Sequence, residues 1–199
     1  MMKIYGSKMS SASRCYWAAA EAGIELEQVP IDFKLNEHKT EEYLKLNPNG
    51  KVPTLVDGDV VIWESMAINN YILEKHKPEL FGAMDAGSHA HILQWSYWSI
   101  VHLNKAMEPL YMQKFVGALS PEALEKAMAD VAKWLGILNA HLEGRQYVVG
   151  ESFTLADINV GSVASMTKFM EMDLSAYPHI AGWLQRLSER PAFKQVFGS

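Results

Sequence analysis

Residues 47–68, NPNGKVPTLVDGDVVIWESMAI, decide how the first part of this chain folds. Pro53 follows Val52 inside a strand-like run, where it has no N–H to give a central ladder, so it marks an edge strand, a bulge or a cis turn. Main chain there stays open to a ligand. Asp57-Gly58 separates two β-branched runs, 54–56 and 60–63, in the pattern of a β-hairpin. Glu64-Ser65 comes next, and behind it Ala67, Ile68, Tyr71 and Ile72 recur at helical spacing toward His76. Ser65 reads as the N-cap of that helix, whose first N–H groups and positive dipole end form an anion site suited to a carboxylate.

An extended main-chain edge at Val52-Pro53 and a carboxylate-binding helix start describe a groove for a short peptide with an acidic end. Residues 29–71, VPIDFKLNEHKTEEYLKLNPNGKVPTLVDGDVVIWESMAINNY, resemble the glutathione-binding half of a glutathione transferase, nearest the phi and theta classes. The resemblance implies that Val52, before a cis-Pro53, pairs its backbone with the cysteinyl unit of glutathione, and that Glu64 and Ser65 hold the γ-glutamyl end. It also places His38, Lys39 and Lys51 near the glycine carboxylate or the thiol. By residue type alone, His38 and Lys39 read equally well as solvent-facing members of a polar loop.

A chain of 199 residues, 49% hydrophobic, can bury a sizeable core as one large domain or two small ones. Its net charge of −5 argues against general nucleic-acid binding, which needs a basic face. A single cysteine excludes an intrachain disulfide framework and fits a reducing compartment. The start MMKIYGSKMSSAS lacks a signal-peptide layout and no apolar run nears the ~20 residues of a membrane span, so a cytoplasmic protein with no membrane association is expected. His89 and His91 point to different faces of a helix, and no clustered ligand set suggests a metal.

Lys3-Ile4-Tyr5 is a short strand, followed by a serine-rich turn over 7–13, an alanine-rich helix over 14–22 closed by Gly23, and a second strand over 26–31. These make a right-handed parallel crossover to which the hairpin adds antiparallel strands, and the helix over 66–76 completes a thioredoxin-like layout. A short helix over 40–46 ends at Asn47-Pro48. Residues 78–87, without sustained period, are the expected linker between a glutathione-binding domain of 1–77 and an all-helical domain of 88–199. Helices are expected there over 88–115, from Pro121 to Glu143 behind a Ser120 cap, from a Thr154/Asp157 capping box toward Met170, and finally from Pro178 to just before Pro191. The fold class is an α/β thioredoxin-like domain followed by an all-α domain, the glutathione transferase fold.

Chemistry is expected in the turn after the first strand. A free thiol has a pKa near ~8.5, and a shift of roughly two units, about 2.7 kcal/mol, makes it mostly thiolate at neutral pH. A hydroxyl donor beside a helix N-terminus favours the charged form without itself ionising. Ser10, Ser11 and Ser13 are available, and Ser13 reads as a first-turn residue. Likeness to the family's Ser-x-x-x-Arg pattern, ending at Arg14, implies Ser10 as catalytic; phi-like spacing, one residue longer, keeps Ser11 open. Cys15 falls too late for that turn and reads as a packed thiol.

Met107, Tyr111 and Phe115 share one helical stripe, whose ordinary role is core or dimer interface. In the family the hydrophobic substrate pocket uses this helix and the loop after the first strand, which adds Met9 and makes all four candidates. The resemblance thus implies a homodimeric detoxification enzyme using glutathione as co-substrate against a hydrophobic electrophile. A glutathione-dependent isomerase or dehalogenase shares every feature, and a non-catalytic protein-interaction module is the contrasting class.

Overall fold

Alternating β-branched residues and a turn dipeptide at Asp57-Gly58 produce the hairpin of β3 (Thr54–Asp57) and β4 (Val60–Trp63), with Gly58 at φ +60°. The computed structural model describes residues 1–82, 85–117 and 119–198, apart from the side chains of Phe115 and Val116. Strand β1 (Lys3–Tyr5) runs parallel to β2 (Glu27–Val29) and antiparallel to β3, giving the order β2-β1-β3-β4. β2 is shorter than the expected 26–31. Helix α1 (Ser13–Glu21) makes the crossover, α2 (Glu41–Leu46) starts at Thr40, and α3 (Ser65–His76) packs on α1. Trp17, Ala18, Ile68, Ile72 and Ile4 are fully buried, so burial of both helices drives this layer together.

The chain divides into two compact units, Met1–Leu80 with Arg190–Ser199, and Phe81–Glu189. The helical part of the second comprises α4 (Ala86–Trp98), a π-helical turn (Ser99–Asn104), α5 (Lys105–Val116), α6 (Pro121–His141), α7 (Leu155–Ala164), α8 (Met166–Phe169) and α9 (Pro178–Glu189). α7 is buried along its whole length and forms this unit's core. The expected capping box is present, and its Asp157 also accepts from Val148 N–H and the Trp183 indole, both at 3.0 Å.

Three expectations change. The single helix over 88–115 is interrupted by the π turn, because Ser96 and Ser99 hydroxyls donate back to Ile92 O and Ser96 O, both at 2.7 Å, and Pro109 removes an N–H from α5. The helix toward Met170 breaks at Ser165 into α7 and α8. The helix from Pro178 is not the last: α10 (Pro191–Phe197) follows and groups with the first unit rather than with 88–189. Phe193 and Phe197 meet the Trp17 ring edge-on, and Arg190 makes a two-pronged ion pair, at 2.6 and 2.7 Å, with the buried Glu21, which also accepts the Trp17 indole N–H. Such long-range aromatic and ionic pairing leaves no local sequence pattern.

Candidate active site

The turn between β1 and α1 closes on the Val52 loop because residue 6 is glycine. A Cβ there would lie 3.2 Å from both Val52 Cβ and Ala12 Cβ and 3.3 Å from Ser10 Oγ. Ser10 is half-buried; its hydroxyl donates to Ser7 O at 2.8 Å and accepts the Ala12 N–H at 3.2 Å. Ser11 is exposed and donates to Val52 O at 3.0 Å. Ser13 opens α1, as its sequence position suggests. Met9, next to Ser10, is 75% exposed.

The Val52-Pro53 peptide is cis, and its loop is clamped from the buried side. Tyr43 OH and Asn47 Nδ2 donate to Lys51 O at 2.6 and 2.7 Å and reach Thr54 Oγ1 at 2.9 and 3.1 Å. Asn47 Oδ1 accepts both Asn49 N–H and Nδ2 at 3.0 and 3.1 Å. Burial pushes the Tyr43 phenol up, so it remains a donor. This clamp escapes sequence reading, in which Asn47-Pro48 is a helix stop; the available signal is an asparagine heading an N-P-N-G turn, where its side chain can organise the following backbone.

His38 and Lys39 lie on a short 3₁₀ turn against the same loop. Lys39 Nζ donates to Asn49 O at 3.4 Å, and a Cβ on Gly50, at φ +57°, would fall 2.6 Å from that nitrogen and 2.8 Å from His38 O. The His38 ring rests on Phe33, centroids 4.7 Å apart, and its buried Nδ1 has no hydrogen-bond partner among the described residues. Lys51 is exposed.

At the start of α3 the expected N-cap shifts by one residue. Glu64, not Ser65, precedes the helix, with φ +71° and no side-chain cap bond, and Ser65 is its first helical residue, 7% exposed. The reversal of direction after β4 needs this positive φ at Glu64, a strained backbone for a residue with a Cβ. The first intrahelical bond, Ile68 N–H to Glu64 O at 3.0 Å, leaves the first-turn N–H groups outside the helical ladder. Cys15 Sγ donates to Ser65 O at 3.7 Å, tying the first turn of α1 to the start of α3. Burial pushes the Cys15 thiol up to about 12, which makes it a neutral packing group.

In the second unit, Met107 is fully buried and offers no surface to a bound molecule, a correction that arises because helical spacing defines a stripe but not which stripe is core. Tyr111 is half-buried, 5.9 Å from the Phe169 ring, and the Phe115 side chain lies outside the described residues. Among the described residues no group of three or more His, Cys, Asp or Glu could hold a metal ion, and no helix is long and apolar enough to cross a membrane. The convergence of open main chain, hydroxyls and two helix N-termini suits a small anionic peptide.

Residues 1–74 match the N-terminal domain of glutathione S-transferase, and residues 101–191 its C-terminal domain. Glutathione S-transferase 3 of Zea mays is 34% identical over 205 residues, which span 98% of this chain and 92% of that protein. A probable glutathione S-transferase of Oryza sativa subsp. japonica is 35% identical over 204 residues, spanning 98% and 95%. The solved structure of a glutathione S-transferase-I bound with lactoylglutathione aligns with a TM-score of 0.90 at 34% identity, covering 99% of this chain and 98% of the other. With both domains matched in order and relatives alike over nearly their full lengths, the chain belongs to the glutathione S-transferase family.

Proposed function

We propose that this glutathione S-transferase lays glutathione along the Val52 rim, keeps its sulfur ionised through the Ser10 hydroxyl, and directs it at a hydrophobic electrophile. The observation that carries the reading is the meeting of the serine turn with the cis Val52-Pro53 loop: Ser11 already donates to Val52 O, the acceptor that an extended peptide would use. On binding, the cysteinyl N–H takes that carbonyl and displaces the Ser11 hydroxyl. Ser10 is half-buried, and its oxygen accepts the Ala12 N–H near the start of α1, which polarises its O–H as a donor. Glu64 and Ser65 take the γ-glutamyl end; His38, Lys39 and Lys51 take the glycine carboxylate, and the unpaired buried Nδ1 of His38 supports a ligand there. The thiol gives its proton to solvent, the sulfur keeps the electron pair, and attack on an electrophilic carbon forms the C–S bond. Exposed Met9 is the proposed apolar contact for the electrophile. Calorimetric titration with glutathione tests this reading, and an absence of binding would overturn it.

The clamp makes a further demand. Asn47→Ala removes four of its six contacts while Tyr43 still holds Lys51 O and Thr54 Oγ1, so the loop loosens without losing its fold. KM for glutathione is expected to rise about tenfold, the effect of losing about 1.4 kcal/mol of preorganisation, with kcat within about twofold. Steady-state kinetics check it; an unchanged KM would show that the clamp does not position the ligand.

We also propose that the protein is a homodimer. Val60, Val61 and Trp63 on edge strand β4 are 40%, 41% and 40% exposed, an apolar edge that calls for cover. Sedimentation is expected to give twice the chain mass, and Trp63→Lys to shift it toward the monomer. A monomeric wild type at micromolar concentration contradicts this.

A further inference from the structure

Buried charges in this fold are otherwise answered: Glu21 by Arg190 and the Trp17 indole, and Asp157 by four donors. Arg14 is the exception. It is only 5% exposed, its Nε has no hydrogen-bond partner, and among the described residues no carboxylate pairs with it. A buried cation without an anion is costly.

Its position removes two easy sources of relief. Arg14 is the second residue of α1, where the dipole end adds charge of the same sign. Its neighbour Cys15 reaches Ser65 O at the start of α3, so a second positive helix end lies close by, and Cys15 itself is neutral. Long side chains on a helix lean back over the preceding turn, which here is the turn holding Ser10 and Ser11. A buried cation and the positive end of α1 therefore sit directly behind the serine turn with no anion to answer them. A carboxylate would need direct contact with the guanidinium, and almost none of its surface is accessible. What remains is a field acting through low-dielectric interior on a charge seated at the serine turn.

We propose that Arg14 is the buried counter-charge that keeps the glutathione sulfur ionised, acting through space from behind the Ser10 turn. The inference rests on the preceding functional reading. The thiol proton leaves to solvent, the sulfur retains its pair, and Arg14 stays charged throughout. Burial holds the Arg14 pKa below its ordinary value, as expected of a cation awaiting an anion. Arg14 is a positioning charge rather than a contact residue.

The test uses the full chain as wild type, Arg14→Met and Arg14→Lys. The thiol pKa of bound glutathione is read from thiolate ultraviolet absorbance, and S-methylglutathione, which has no ionisable thiol, is titrated in parallel by calorimetry. Arg14→Met is expected to raise the bound thiol pKa by about one unit or more, a tenfold loss of thiolate at neutral pH, while Kd for S-methylglutathione stays within about twofold. Arg14→Lys, which keeps the charge, should stay within about half a unit of wild type. Because the charge is uncompensated in the free protein, ligand-free Arg14→Met should melt no lower than wild type. An unchanged thiol pKa, a parallel loss of S-methylglutathione affinity, or an Arg14→Met chain that fails to fold would each overturn the inference by making Arg14 a carboxylate ligand or a structural residue. Wild type that fails to bind S-methylglutathione would instead overturn the functional reading on which it rests.

Discussion

Ser10→Ala is expected to lower kcat/KM for conjugation of glutathione to an aromatic electrophile by about 100-fold, and Ser11→Ala by no more than about threefold. The asymmetry follows from burial. A donor aimed at a thiolate stabilises it more strongly where water is scarce, and Ser10 is half-buried whereas Ser11 is exposed. Both hydroxyls donate to carbonyls in the free protein, Ser10 to Ser7 O and Ser11 to Val52 O, but only the Ser11 acceptor is one that the ligand takes over, so losing Ser11 removes a bond that the ligand replaces. The rate is expected to fall in Ser10→Ala through the thiol, with the acid limb of its pH profile displaced upward by about two units. A larger loss in Ser11→Ala would reverse the assignment.

The largest expected effect on stability lies at Asp157. Its carboxylate accepts Val148 N–H and the Trp183 indole on one oxygen, at 3.0 Å each, and Thr154 N–H and hydroxyl, at 3.0 and 3.4 Å, on the other. Asp157→Ala leaves these buried donors without acceptors, at about 1–3 kcal/mol each, and is expected to destabilise the protein by about 4 kcal/mol in urea unfolding followed by tryptophan fluorescence. A cost below about 1 kcal/mol would mean the box is dispensable. Burial pushes the Asp157 carboxyl up to about 6, above its ordinary value of 3.8, against the pull of those donors, which favour the ionised form. A raised native pKa means that the folded state binds more protons, so this group's contribution is fully present below about pH 4 and is lost as pH rises through about 6. Relative to the non-titrating Asp157→Asn, wild type should lose about 2–3 kcal/mol across that window. A pH-independent difference would contradict the shift.

Local chemistry made much of the fold legible. The Asp57-Gly58 turn, the β-branched runs, the Ser120-Pro121 start and the Thr154/Asp157 box each act over a few residues, and each forms where its pattern stands. What stayed hidden depends on distant partners or on unusual backbone. Nothing in the propensity of glutamate marks Glu64 for φ +71°, and local pattern alone points to Ser65 as the cap. The π turn rests on hydroxyl bonds from Ser96 and Ser99 back into their own helix. α10 joins the first unit through Trp17 and Glu21, which lie at the far end of the sequence. Likewise, the stripe of Met107 and Tyr111 was visible, but which of its members faces the core was not.

At the candidate site, the same division holds. Val52-Pro53 and the serine turn were recognisable because proline and serine have narrow local uses, and the structure brings them together at Gly6. The Tyr43–Asn47 clamp and the unpaired Arg14 were not, since both are defined by what surrounds them in the folded interior.

A crystal structure of the glutathione complex tests the account most directly. The sulfur should lie within hydrogen-bonding distance of Ser10 Oγ, with the cysteinyl N–H on Val52 O and the Ser11 hydroxyl released from that carbonyl. A tripeptide bound elsewhere, or one seated on the Val52 rim with its sulfur turned away from the serine turn, would contradict it.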